Sequence, residues 1–134
     1  MSLHLSKALL YALHALHYMH EKEPGRPVMV REICEKYSFS YDTVLAVMRK
    51  LTRDNILTAH RGIKGGFTLR YSLNKLSILN LMEAIDGPIV TNDPLDLKTG
   101  HPRLRKSVVT EASKINDDYR SKLNKISCTK FFPK

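Results

Sequence analysis

Three glycines in five positions, Gly62, Gly65 and Gly66, stand between two short alternating runs, Ile56-Leu57-Thr58-Ala59-His60 and Phe67-Thr68-Leu69-Arg70-Tyr71. Alternation places successive side chains on opposite faces, so each run predicts a strand. Glycine tolerates the backbone angles of a tight reversal, so the pair predicts a hairpin with a pliable tip, Arg61-Gly62-Ile63-Lys64-Gly65-Gly66. A single hairpin cannot hold itself together in water, so the rest of the chain must supply the core against which it packs.

That remainder carries helical periodicity. Leu5, Leu9, Ala12, Leu13, Leu16 and Met19 form one apolar stripe and predict a helix from Ser6 to His20, broken by Pro24, Gly25 and Pro27. Val30, Ile33, Cys34 and Tyr37 predict a second helix of about two turns. After the tight connection Ser38-Phe39-Ser40, with Ser40 as cap and Asp42 suiting the positive end of the helix dipole, Val44, Val47, Met48 and Leu51 predict a third helix ending near Asp54-Asn55. Beyond the hairpin, Ser77 to Asp86 predicts a fourth helix, stopped by Gly87-Pro88, and Pro88 to Pro102 has no period. From Arg103 to Ile126 a narrow apolar seam, Leu104, Val108, Ala112, Ile115, Tyr119, Leu123 and Ile126, predicts one helix of about 24 residues, roughly 36 Å long.

Helix, short helix, tight turn, helix and glycine-tipped hairpin is the order of a winged helix-turn-helix, in a fold that is otherwise mainly α. Charge points the same way. The chain of 134 residues has 22 Lys and Arg against 13 Asp and Glu, a net +9. The stretch 49–75 holds Arg49, Lys50, Arg53, Arg61, Lys64, Arg70 and Lys75 against the single acid Asp54, whereas a merely solvated face interleaves both signs. Double-stranded DNA is the expected partner. Ser40, Tyr41, Asp42 and Thr43, with Ala46 behind them, are placed to read bases; Arg49 and Lys50 are placed to reach phosphate. In the wing, Arg61 and Lys64 supply cations, while Gly62, Gly65 and Gly66 allow backbone amides to approach phosphate. The same elements would also suit a winged-helix interaction module that does not bind DNA.

The wing Arg61-Gly62-Ile63-Lys64-Gly65-Gly66-Phe67-Thr68-Leu69, followed at the right distance by Ile78 to Ile89 with its Asp86-Gly87-Pro88 ending, resembles the Rrf-two family of bacterial transcription regulators over most of residues 4–126. The resemblance implies a homodimer joined through the long C-terminal helix, and thus a dimerisation role for Leu104, Val108, Ala112, Ile115, Tyr119 and Leu123. It implies residues 1–88 as the DNA-binding domain, 89–102 as a loop, 103–127 as the dimerisation helix and 128–134 as a tail. Two-fold pairing implies an inverted-repeat operator, and the expected mode is repression by occupying promoter DNA. Cluster-binding members carry three cysteines between the fourth helix and the long one; residues 88–102 here have none, so no cofactor is expected. Lys64 stands where the family often has another glycine.

The remaining chemistry is sparse. Cys34 and Cys128, 94 positions apart, fit neither a disulfide scaffold nor a paired-cysteine zinc site. Cys34 is expected as a small core residue; in a dimer Cys128 could approach the partner's DNA-binding unit, so either thiol is a candidate redox switch. His14 and His20 lie about 240° apart around helix one, so His14, His17 and His20 cannot converge on a metal, and none is expected. His101, Asp93 and Asp96 have an ordinary loop composition, and the effector is left open. No nucleophile, phosphate loop or carboxylate pair frames an enzyme. With no apolar run near 18 residues and no leader pattern, no membrane is expected and the location is the cytoplasm.

Overall fold

The computed structural model describes residues 5–91 and 100–134. Helix α1 spans Lys7–His20, with Ser6 as its cap accepting from the Leu9 amide at 3.1 Å and Leu9, Ala12, Ala15, Leu16 and Met19 buried along one side. Helix α2, Val30–Tyr37, is closed by Ser38 in the left-handed region (φ 58°), which turns the chain sharply into α3, Tyr41–Arg53. The buried side of α3 is Val44, Val47, Met48 and Leu51, the expected stripe. Asn55, also at positive φ, then reverses the chain into the hairpin.

Strands β1 (Leu57–His60) and β2 (Gly66–Leu69) pair antiparallel, with Leu57 opposite Leu69 and His60 opposite Gly66. They are shorter than the alternation predicts. Beyond Leu69 one further bond, Arg70 N–H to the Ile56 carbonyl at 3.1 Å, extends the pairing, and Tyr71 falls outside it. The hairpin is not isolated. Val28 and Phe67 exchange both backbone bonds, at 2.9 and 2.8 Å, stitching the wing to the segment before α2. That segment is itself anchored: Glu32 accepts from Arg26 at 2.6 Å, from the Tyr18 hydroxyl at 3.2 Å and from the Met29 amide at 2.8 Å. Partial burial raises the Glu32 carboxyl's pKa, and these donors outweigh it, holding it below the usual carboxylate range.

A 3-10 turn, Leu73–Lys75, buries Leu73 and leads to α4, Ile78–Asp86, capped by the Ser77 hydroxyl. Helix α5, Pro102–Asn124, opens on a proline, whose missing N–H costs nothing in a first turn, and none of its residues is buried. Residues 128–134 are not the expected tail. A second 3-10 turn, Cys128–Phe131, brings the chain back: Ile78 N–H meets the Ile126 carbonyl at 2.8 Å and Cys128 N–H the Leu76 carbonyl at 2.9 Å. One core therefore takes residues from α1 to α4, from β1, and from Cys128 after α5.

Candidate nucleic-acid interface

The interface expected from the sequence has two parts, the start of α3 and the wing. At the first, Ser40 Oγ accepts from the Thr43 amide at 3.3 Å and lies 3.0 Å from the Thr43 hydroxyl. Those two side chains therefore form the cap of the helix, and capping fixes where its first turn begins. Tyr41 is 54% exposed and Asp42 is exposed, so both project from that turn into solvent. One side of α3 is thus consumed by the core and the other stands free, as a helix entering a groove requires.

In the wing, Arg61, Gly62, Ile63 and Lys64 are exposed, and Ile63 is fully so at the tip. The glycines behind them have an internal reason. A Cβ on Gly65 would stand 2.5 Å from the His60 carbonyl oxygen, and one on Gly66 would stand 2.6 Å from that of Val28. The bare glycine at 66 allows the wing to lie flush on the Val28 segment. His60 Nε2 and Thr68 Oγ1, 2.8 Å apart, link the two strands below the tip.

Cations of the basic stretch 49–75 divide into two sets. Arg49, Arg61, Lys64 and Arg70 are exposed and, among the described residues, make no ion pair. Lys50 is otherwise engaged: its ammonium donates to the Ile85 carbonyl at 3.0 Å, and Arg53 donates to the Ala84 carbonyl at 3.0 Å. Helix α4 has no basic residue in its own last turn, so these two side chains of α3 satisfy carbonyls at its negative end. The expectation that Lys50 reaches outward to phosphate is corrected accordingly. The missing basic residue in α4 was the readable signal for that role.

On α5, Leu104, Val108 and Ile115 are 68%, 63% and 70% exposed, while Ala112, Tyr119 and Leu123 are half-buried. Leu123 packs on the core of its own chain. The six residues expected at a two-fold contact therefore split between an uncovered N-terminal part and a C-terminal part that meets the body of the protein. The sequence reading missed the polar contacts that hold this second part. Arg120 reaches Glu83 at 2.7 Å and the Ile89 carbonyl at 3.0 Å, and Asn116 reaches the same carbonyl at 3.3 Å.

Cys128 is fully buried in its own subunit, its thiol donating to the Leu73 carbonyl at 3.4 Å, and burial pushes its pKa up to about 11. This corrects the expectation that it lies within reach of a partner's DNA-binding unit. Cys34 is half-buried against the core, and burial likewise raises its thiol pKa. Neither site has the electropositive, open surroundings that make a thiolate reactive. The histidines of α1 serve as aromatic packing. His14 meets Tyr37 and Phe39 edge-on at 5.0 and 5.2 Å, and His17 and His20 flank Phe132 at 5.0 and 5.4 Å. His101 caps α5 without a side-chain bond; Asp93 and Asp96 lie outside the described residues.

A family model described as Rrf2, Iron-dependent Transcriptional regulator, matches residues 5–132. Among solved structures, that of CymR, the global cysteine regulator of B. subtilis, superposes with a TM-score of 0.67 at 19% identity, covering 95% of this chain and 94% of that one. A protein from Listeria innocua gives 0.70 at 16% identity, covering 96% and 85%, and IscR from T. potens gives 0.67 at 19%, also covering 96% and 85%. All share the fold of this chain. The iron in the family's description finds no fitting donor set among the described residues. The chain has two cysteines, one sealed in the core, and among the described residues no group of three His, Cys, Asp or Glu side chains could hold a metal. No helix among those residues is long and apolar enough to cross a membrane.

Proposed function

Because the chain belongs to the Rrf2 family of transcriptional regulators, we propose that it is a sequence-specific repressor acting in the cytoplasm, a homodimer that binds an inverted-repeat operator in double-stranded DNA. The observation that carries this reading is the set of exposed, unpaired cations Arg49, Arg61, Lys64 and Arg70, borne on α3 and the hairpin that follows it. Asp54, the one acid in that stretch, is taken up by Arg53 at 3.2 Å, so it leaves those four uncompensated. Cations already in water lose little hydration on meeting phosphate, and each phosphate they neutralise releases condensed counterions.

In this reading Tyr41, Asp42 and Thr43 meet base edges in the major groove, with Ser40 setting the helix start. Arg61, Gly62 and Lys64 meet the neighbouring backbone, Gly65 and Gly66 hold the wing in place, and Arg49 reaches phosphate from the outer side of α3. The exposed Leu104, Val108 and Ile115 supply the apolar surface of a two-fold contact between α5 helices, continued by Ala112 and Tyr119. Repression follows from occupancy of promoter DNA.

Anisotropy titration of the full chain against selected duplexes at several salt concentrations tests the reading. Affinity should fall steeply, with log K losing about 0.9 per log unit of salt for each phosphate neutralised. Arg61→Ala and Lys64→Ala should each weaken binding to all sequences and flatten that slope, whereas Tyr41→Ala should change preference among sequences. Binding that is absent, or indifferent to salt and to the wing substitutions, would leave a winged-helix interaction module in its place.

A further inference from the structure

Four segments of the chain meet at one end of α4. Its last turn has carbonyls that the helix cannot satisfy, because the Gly87 amide returns to Glu83 O at 3.0 Å and leaves those of Ala84 and Ile85 open. Both are filled from α3, by Arg53 and Lys50 at 3.0 Å each. On the same turn the Glu83 carboxylate accepts from the Ile89 amide at 3.0 Å and from Arg120 of α5 at 2.7 Å. Arg120 and Asn116 close the ring on the Ile89 carbonyl. The helix that would probe DNA and the helix that would meet a second copy are thus joined through three residues of α4, Glu83, Ala84 and Ile85, and the segment of chain leaving it.

Directional bonds do something here that apolar packing does not. Greasy contacts between helices tolerate sliding and small rotations, whereas charge-assisted hydrogen bonds weaken steeply when their angle or length changes. None of the residues of α5 is buried, so beside Leu123, which packs on the core, and the backbone bonds of Ile126 and Cys128 just after the helix, these polar bonds are what orient it. The side-chain bond from Arg120 holds the Glu83 carboxyl below the usual carboxylate range despite partial burial, so the pair stays ionised near neutrality.

We propose that Glu83 and Arg120, with Lys50 and Arg53 behind them, are positioning residues that fix the angle between α5 and α3 and thereby set the half-site spacing the dimer accepts. The inference rests on the dimeric DNA-binding reading above. None of the four touches a base in this role. They act on distance: each base pair inserted between half-sites moves the second by about 3.4 Å and rotates it by roughly 34°, and only a stiff dimer resists such a change.

The test uses the full-length protein with a single half-site duplex and a series of inverted repeats whose spacer varies by one base pair at a time. The wild type should prefer one spacer over its neighbours by about tenfold or more, the scale of about 1.4 kcal/mol. Arg120→Met should bind the half-site within about twofold of wild type and remain dimeric by sedimentation, while its preference among spacers falls to about threefold or less. Arg120→Lys, which keeps the charge, should recover part of the preference. Glu83→Gln preserves shape and provides a second variant should Arg120→Met fold poorly. A spacer profile unchanged in both variants, or half-site affinity falling in step with the profile, would overturn the proposal. Wild-type protein that ignores spacing, or does not bind DNA at all, refutes the dimeric reading itself and is distinguished by the wild-type arm alone.

Discussion

Replacing Gly66 by alanine brings a methyl carbon within 2.6 Å of the Val28 carbonyl oxygen and 2.8 Å of its carbon, at a backbone φ of +138°. Both obstacles are main chain, so no side chain can swing aside. The wing must lift from the Val28 segment, which breaks the two bonds Val28 and Phe67 exchange. Each such bond contributes about 1 kcal/mol net, and a left-handed backbone angle on an L residue costs about 1–3 kcal/mol. Together these give a loss of about 3–5 kcal/mol; at about 4 °C per kcal/mol for a chain of this size, Tm should fall by roughly 12–20 °C. Gly25→Ala is the matched control, since Gly25 also has a positive φ (+81°) but a Cβ there meets nothing within 4 Å. Differential scanning calorimetry of both variants separates the conformational cost from the steric one. If Gly66→Ala melts no lower than Gly25→Ala, the flush contact between wing and Val28 is not what requires glycine there.

The two basic neighbours at the end of α3 should behave oppositely. Lys50→Met should lower stability by about 1 kcal/mol through the lost bond to the Ile85 carbonyl and leave the salt dependence of DNA binding unchanged, whereas Arg49→Ala should spare stability and flatten that dependence by about 0.9; denaturant melts paired with titrations check both. Glu83 and Glu32 have lowered folded pKa values, so the unfolded chain binds more protons as pH falls. Their contribution is complete above the unfolded value of about 4.3 and disappears as pH falls through the folded ones. Glu83→Gln should therefore lose less Tm than wild type between about pH 5 and 3, and identical acid limbs would contradict the Glu83 assignment. A thiol reagent should leave Cys128 unmodified in the native protein and label it in denaturant, since the residue is fully buried with a pKa near 11; fast native labelling at Cys128 would show that the last turn opens.

Elements with long, regular patterns were legible in the chain. Ser40 caps α3 as expected, and Ser6 and Ser77, where the first and fourth helices were expected to begin, cap theirs, because a hydroxyl just before an apolar stripe has one cheap way to satisfy an amide. The mainly helical fold and its two-stranded wing followed from the same periodicities. Local pattern could not reveal where a long side chain finds its partner. Lys50 and Arg53 are surface-type residues that bond to carbonyls more than 30 positions away, and the one hint, the lack of a basic residue in the last turn of α4, lies equally far from them. The two 3-10 turns are too short to show a period, and the second one carries Cys128 into the core from a stretch that reads as a polar end. Gly65 and Gly66 were legible as glycines a wing needs, but the carbonyls that exclude a side chain from them lie across the fold or across the turn.

Helix α5 is held near its C-terminal end, by Arg120, Leu123 and the backbone bonds at Ile126 and Cys128, while Leu104, Val108 and Ile115 stand uncovered toward its start. It is a lever with its fulcrum at one end. Sixteen residues separate Arg120 from Leu104, about 24 Å of helix. A tilt of roughly 5° at the fulcrum therefore displaces the far end by about 2 Å, more than the rise of one residue along the helix. A change too small to disturb the core at its root is thus magnified into a shift in register at its tip.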